Sequence, residues 1–422
     1  MSRMLAVMPP AYRAGSPRKR TLVSRRGRAG LEYIDPVTKS ASARPRVLIV
    51  SRIWAPEPAA ASWRLAALRE QLLRRGARVR VLTAAVPASL DPGAEQAVSR
   101  WPVKRDANGY IRGVLPYLSF DLPLVVRLLA ARRPDVVVCE SPVTTGTATR
   151  LACRLRRIPF VYYAADLWYE AAAGEGHRSW VVRLLRRLEG GVFRAARRVL
   201  AVSAPVADKV AALGGRSVLV GNGVDTTVFS YAPAAPAARP TFIYAGTAAP
   251  IHGATLLARA FVRLHARHPE VRLEWYGQGP DWDEIAQILR PLPPDAYLLR
   301  PRVSGPEIAA KLRAAWGAVA TIRPGHYGFA VPSKAYAAAA CGAPTLRVGP
   351  TEVAWQPELG PQVPYTEDDV EAGLAALVAQ GRALQETGQW HATRAARAAW
   401  VANNASLAAA GERAATAVLA CL

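Results

Sequence analysis

The run VPSKAYAAAACGAP at residues 331–344 carries the most chemically pointed spacing in the chain. Pro332 suits the first turn of a helix, which places Ser333 and Lys334 at its N-terminus. Free backbone N–H groups and the helix dipole favour an anion there, and a lysine point charge adds to the pull. Small residues follow as far as Gly342, so the helix can lie close on a sheet. Phosphate is the anion such an end would take, although an ordinary alanine-rich helix with a surface lysine has the same letters. His252 precedes another expected helix. A neutral imidazole there could donate a hydrogen bond to phosphate and gain charge beside it, or it could be an exposed cap. Asp281-Trp282-Asp283 has the form of an Asp-x-Asp metal pattern. It follows Gly-Gln-Gly-Pro at an expected helix start, where acids already favour the dipole. No Ser-His-Asp order, P-loop or G-x-G-x-x-G stands in a convincing context.

Alternating elements must position these groups. RVLIV (46–50) is a short apolar run of buried-strand type. A proline-containing loop then leads to a helix from Trp63 to Arg75, which Gly76 stops, and to a strand at 77–83. Further strands are expected at 134–139, 159–163, 198–203 and 217–223, with helices at 147–156, 179–197 and 205–213 between them. The alanine- and proline-rich segment 231–240 breaks the rhythm as an interdomain linker would. Strands at 241–246, 271–277, 296–300, 317–322 and 343–348 then alternate with helices at 253–267, 281–290, 305–315 and 333–341. This grammar predicts two α/β domains with parallel sheets, and ligands bind beyond the C-terminal strand ends of such sheets. The alanine-rich tail from about Thr366 is expected to be helical and to pack back across the hinge. The expected divisions are a leader at 1–45, domains at 46–232 and 233–385, and a helical segment at 386–422.

Composition narrows the partners. The chain has 422 residues with a net charge of +24, which makes nucleic acid, anionic lipid or phosphorylated small molecules the first candidates. Residues 1–46 hold eleven lysines and arginines against Glu32 and Asp35, so +9 of the total lies in a leader without periodicity. That leader reads as a disordered basic arm, or as a dispensable extension from a start placed too early. Cys139, Cys153, Cys341 and Cys421 lie far apart with no C-x-x-C pair, against a zinc site or disulfide scaffold and for a reducing cytosol. No signal peptide is evident. The most apolar stretch, Gly113 to Ala131, is broken by Asp121, Arg127 and two prolines, so no span is expected. Residues 177–198 carry seven arginines and one acid, Glu189, with an apolar stripe from Trp180 to Phe193. Such a helix could lie on an anionic membrane surface, or pack on the core with a basic solvated face.

Over about 46–385 the chain resembles the GT-B glycosyltransferases of family 4, especially their cell-envelope polysaccharide branch. The branch's Pro-Ser-Lys-x-Tyr-x-x-x-Ala-x-Gly-x-Pro pattern is met by Pro332, Ser333, Lys334, Tyr336, Ala340, Gly342 and Pro344. In the same order come Pro56-Glu57-Pro58 to Arg64, AADLWYE (164–170), VSAPV (202–206), NGVDTTVF (222–229), YAGTAAPIHG (244–253) and WYGQGPD (275–281). The resemblance implies two Rossmann-like domains facing a cleft, with a C-terminal helix crossing back to the first. It implies a retaining, metal-independent hexosyl transfer from a UDP- or GDP-linked sugar, with no cofactor. The expected catalytic groups are Lys334 and Asp166. Donor-binding residues would be Gly246, Thr247, His252, Gly277, Tyr327, Gly328, Ser333, Lys334 and Tyr336, and acceptor-binding residues Glu57 and Arg64. The family's paired glutamates fall at Phe329 and Ala337, its loop lysine at His252, the His before Asp-Leu-Trp at Ala165 and its first Gly-Gly at Ala59-Ala60.

The leading expectation is a cytoplasmic enzyme, peripheral on the inner face of the cell membrane, acting on a cell-envelope glycan or lipid-linked acceptor. A soluble secondary-metabolite or cyclitol acceptor is the first alternative. A non-catalytic GT-B scaffold binding anionic partners is the second. Nucleic acid is not favoured, because aromatic and basic residues are not interleaved as base stacking requires.

Overall fold

A computed structural model describes residues 44–93, 95–106, 109–111, 113–325 and 332–422. The basic leader up to residue 43, and with it Tyr327, Gly328 and Phe329, lies outside the described residues. The first half contains β1 (Arg46–Val50), α1 (Ala60–Arg74), β2 (Arg78–Ala84), β3 (Val98–Trp101), α2 (Val114–Ala130), β4 (Val136–Glu140) and α3 (Val143–Arg156). It continues through β5 (Phe160–Ala164), α4 (Trp168–Gly174), α5 (Ser179–Ala195), β6 (Arg198–Ala201), α6 (Ala204–Ala212) and β7 (Ser217–Leu219). Its seven strands are parallel in the order β3-β2-β1-β4-β5-β6-β7. The central strands are rich in valine and buried on both faces, as a sheet covered by crossover helices requires. Phe120, Leu124, Cys153, Val192 and Phe193 cover one face, while Leu65, Leu68 and Leu72 of α1 cover the other.

The second half repeats the plan with β8 (Thr241–Ala245), α7 (Thr255–Arg267), β9 (Arg272–Tyr276), α8 (Trp282–Leu289), β10 (Tyr297–Arg300), α9 (Gly305–Ala314) and β11 (Gly317–Thr321). Then come α10 (Ser333–Ala340), β12 (Thr345–Val348), β13 (Gln362–Val363), α11 (Glu367–Glu386), α12 (Trp390–Asn404) and α13 (Leu407–Leu419). The strand order is β10-β9-β8-β11-β12-β13, again parallel. Both sheets therefore reverse strand order next to their first strand, between β1 and β4 and between β8 and β11. In open α/β sheets a ligand crevice forms at that switch point.

Four of these elements escape the sequence pattern, α4 and the two-residue β13 among them. β3 is a short, half-exposed edge strand, and α2 runs straight through Pro116 and Pro123. Of the tail expected to pack back from about Thr366, the first helix stays with the second half. Leu374, Leu377 and Val378 of α11 join the core of the second half, and α12 packs on α10. Only α13 crosses back, where Ala414, Ala415 and Val418 share a core with α1. A Cβ at Gly411 would lie 2.7 Å from the carbonyl oxygen of Ala67, so glycine permits that approach. The return path meets the outgoing chain in a parallel bridge between Val224 and Ser406. The linker at 231–240 holds no helix or strand and is pinned to the second half, with Trp316 Nε1 donating to the Ala237 carbonyl at 3.0 Å. No helix among the described residues is long and apolar enough to cross a membrane.

Candidate active site

Three loops of the second half converge at the C-terminal ends of β8, β9 and β11. The Gly246 N–H donates to the Tyr276 carbonyl at 2.9 Å, and the Ala248 N–H donates to that of Gln278 at 2.9 Å, tying the first two loops together. The Arg323 N–H donates to the Ile251 carbonyl at 3.0 Å, joining the third. Their closeness depends on missing side chains. A Cβ at Gly277 would lie 1.9 Å from the Gly246 carbonyl oxygen. One at Gly246, whose φ is +150°, would lie 2.9 Å from Lys334 Nζ.

Lys334 opens α10 beside Ser333 and points inward. Its ammonium is buried, has no hydrogen-bond partner among the described residues, and lies 4.0 Å from the ring centroid of the fully buried Tyr244. Burial lowers its pKa from 10.5 to about 7. His252 is half-buried near it, with Nδ1 likewise buried and unpartnered. Burial first and the Lys334 charge second hold that imidazole down at about 4, so it is neutral at physiological pH. The exposed-cap alternative for His252 is therefore set aside. A buried cation without a counter-ion is costly unless something supplies the missing charge. Lys334 and His252 thus gather two buried nitrogens, Nζ and Nδ1, without hydrogen-bond partners among the described residues beside the first turn of α10.

Other expected donor residues are spread around this point. Thr247 is exposed on the same loop, and its carbonyl accepts from the Tyr244 hydroxyl at 3.3 Å. Ser333 is exposed at the helix start. Tyr336, one turn on, is half-buried towards the hinge, near the guanidinium of Arg413 from α13. Arg413 donates to the carbonyls of Val220 at 2.7 Å and Asn404 at 2.9 Å, so it clasps both hinge crossings. Asp281 does not cap α8 with its side chain, and its nearest cationic influence is Arg323. Among the described residues no three His, Cys, Asp or Glu side chains gather in a metal-binding group.

Across the cleft, the strand ends of the first half place Ser51, Glu140 and Asp166. Asp166 reaches solvent, yet the protein around it raises its pKa against the lowering influence of Arg64. Glu140 ends β4 and is buried, with its pKa raised by desolvation. It accepts from Arg64 Nη2 at 2.8 Å and from Ser51 Oγ at 2.9 Å. The other amino group of Arg64 donates to Asn222 Oδ1 at 2.8 Å, which links α1 to the hinge. Glu57 is held instead by Arg105, at 2.9 and 3.2 Å. The structure thus does not bring Glu57 and Arg64 together; each is engaged in its own ion pair.

Glu140, Asn222 and Glu189 were not singled out as site residues from sequence. Glu140 had one available signal, an acid closing an otherwise apolar strand. Glu189 had another, the lone acid in a basic helix. It is fully buried, and its two oxygens accept the N–H groups of Trp168 at 2.9 Å and Tyr169 at 3.0 Å. That clamp fixes the N-terminus of α4, two residues after Asp166. Burial raises the Glu189 pKa to about 7 despite these bonds.

Residues 61–228 match the family model described as Glycosyltransferase Family 4, and residues 239–379 match that described as Glycosyl transferases group 1. No curated protein matches the chain in sequence. Among solved structures the chain is similar to HepE of Anabaena in complex with UDP and glucose. The identity is 16% and the TM-score 0.62, over 90% of this chain and 100% of that one. Sucrose-phosphate synthase of Thermosynechococcus elongatus is similar at 16% identity and TM-score 0.66, over 87% and 96%. A lipopolysaccharide outer core galactosyltransferase is similar at 14% and 0.62, over 90% and 100%. Identities this low carry the fold and no more. The two family models, taken in order, account for most of the described length: the chain is a GT-B glycosyltransferase of family 4.

Proposed function

We propose that this glycosyltransferase moves a hexosyl group, with retention at the anomeric carbon, from a UDP- or GDP-linked donor to a cell-envelope glycan or lipid-linked acceptor. One observation carries the donor half of this reading: the Lys334 ammonium is buried, without a partner among the described residues, and aimed at the switch point of the second sheet. A diphosphate supplies the negative charge that this pocket lacks. In the transfer, the bond from the anomeric carbon to the outer phosphate oxygen breaks and its electron pair stays on phosphate. The acceptor oxygen forms the new bond, and its proton passes to the departing phosphate or to Asp166. Charge grows on the diphosphate as this happens, so Lys334 and the first-turn amides of α10 act where stabilisation is worth most. His252 would add one hydrogen bond, and Gly246, Thr247, Gly277, Ser333 and Tyr336 would shape the donor pocket. No metal or cofactor is required by this scheme. Ala337 offers no carboxylate to the ribose, so nucleotide affinity is expected to rest mainly on the diphosphate.

On the acceptor side, Asp166 is the cleft-facing acid. Arg64 acts through Glu140 and Asn222, and Glu57 through Arg105, as supports of that wall. The test is a thermal shift with UDP and GDP at millimolar concentration. Stabilisation by one of them in the wild type, and its loss in Lys334→Ala, is the expected result. Turnover of the same variant should fall at least about tenfold, or about 1.4 kcal/mol in the barrier. No shift with either nucleotide would remove the donor-site reading.

A further inference from the structure

Helix α2 has an apolar side that none of the described residues covers. At 3.6 residues per turn, Phe120, Leu124 and Leu128 face the core, while Leu115, Leu118, Leu122, Val126 and Leu129 form a stripe on the opposite side. Leu122 is 63% exposed and Val126 65% exposed. The stripe continues beyond α2. Helix α3 packs against both α2 and α5, over the same sheet face, and presents Leu151 and Leu155 outward. On α5, Trp180 is 56% exposed and Leu184 48% exposed, one turn apart. Scattered exposed leucines are ordinary, but exposed apolar side chains on three helices packed side by side mark an interaction site.

Charge selects the partner. Arg154 on α3 and Arg183, Arg186 and Arg187 on α5 are exposed, as are Arg132 and Arg133 just after α2. The acids carried by these three helices, Asp121 and Glu189, are both buried, and Asp121 is paired with Arg52 at 2.6 Å. The face is therefore apolar and cationic with no exposed acid on its helices. Two copies placed face to face would oppose arginine to arginine. A bilayer with anionic headgroups satisfies both features, taking the leucines at the acyl boundary and the arginines at the phosphates. Placement fits as well. Tyr117, in the first turn of α2, lies under the Arg52 guanidinium at 3.8 Å and against Trp168 at 5.8 Å. That end of the face thus adjoins the segment bearing Asp166.

We infer that the outer surface of α2, α3 and α5 docks the enzyme on an anionic lipid bilayer, with α2 rather than α5 supplying most of the apolar contact. The inference deepens the lipid-linked acceptor reading, but vesicle binding tests it independently of any activity. The full chain is floated with vesicles of phosphatidylcholine alone and of phosphatidylcholine with phosphatidylglycerol. Binding to the anionic vesicles, weakened by salt, is expected. Leu122→Asp with Val126→Asp should lower that partitioning by about tenfold or more, and Arg183→Glu with Arg187→Glu by a similar factor. These sites are exposed, so melting should be unchanged. Hydrogen exchange on the wild type gives a reading that needs no variant: amides of α2, α3 and α5 should gain protection on anionic vesicles. Unchanged partitioning of both variants would assign any binding to another surface, the basic leader included, and overturn the proposal. So would a concentration-dependent dimer without lipid that the α2 variant abolishes, because the face would then be an interface between copies.

Discussion

Nucleotide binding to this protein should take up a proton, and the proton should land on Lys334. In the free protein, burial lowers the Lys334 pKa to about 7, so at pH 8 about nine-tenths of the side chain is neutral. A phosphate charge brought within about 4 Å gives about 4 kcal/mol of attraction at an effective dielectric near 20, enough to move the pKa back up by about three units. The complex therefore holds the ammonium at pH 8. The expected uptake is about 0.9 proton per nucleotide, and affinity should fall roughly 15-fold between pH 7 and 8.5. UDP contributes little, because the last phosphate proton is lost near about pH 6. His252, held at about 4 in the free protein, would take up its proton mainly below neutrality. Titration calorimetry at pH 8 in two buffers of different ionisation enthalpy reads the uptake directly. Lys334→Met should abolish it and flatten the pH dependence. It should also stabilise the ligand-free fold, by an amount that grows as pH falls from 10.5 and is complete below about 7, because the unfolded chain there holds a lysine proton the folded state resists. Tight UDP binding with no proton uptake in the wild type, or equal uptake in Lys334→Met, would refute the reasoning.

Two further outcomes follow from the buried acids. Glu140→Gln leaves the Arg64 guanidinium buried without its counter-charge, and denaturant unfolding should show a loss of about 3–5 kcal/mol. Arg64→Met with Glu140→Leu should cost less than that single change, and a larger cost would mean the pair is not the coupled unit described here. Glu189 has a folded pKa of about 7, above its ordinary 4.5, so the folded state favours the protonated acid. Stability from this group is fully present below pH 4.5 and declines as pH rises towards 7, by about 3 kcal/mol in all. Glu189→Gln should remove that decline, and an identical pH slope in variant and wild type would exclude Glu189 as its source.

The sequence made the sheets legible because both-face burial demands uninterrupted valine, isoleucine and alanine runs, and such runs as RVLIV and GAVAT have few other uses. Helix α2 was not legible for a converse reason. Its apolar residues serve two sides at once, so no single stripe stands out, and Pro123 within it reads as a breaker. Both facts have one cause if the outer side is itself a contact surface. The position of Lys334 was legible from Pro-Ser-Lys at a helix start, but its state was not. A lysine at a helix N-terminus is ordinarily solvated and charged. Here the Tyr244 ring, the Gly246 backbone and a half-buried His252 enclose it, and these lie about 80 to 90 residues earlier in the chain. The same holds across the cleft, where Arg64 was read as an acceptor contact and instead spends its two amino groups on Glu140 and Asn222. Local spacing can name a charged residue at a strand end, whereas its partner is decided by the stacking of β1 on β4 or β8 on β11. The unpaired charge is therefore the informative one: Arg64 and Arg52 find carboxylates and Glu57 finds a guanidinium within their own half, and Lys334, without a counter-charge among the described residues, marks where a ligand's charge belongs.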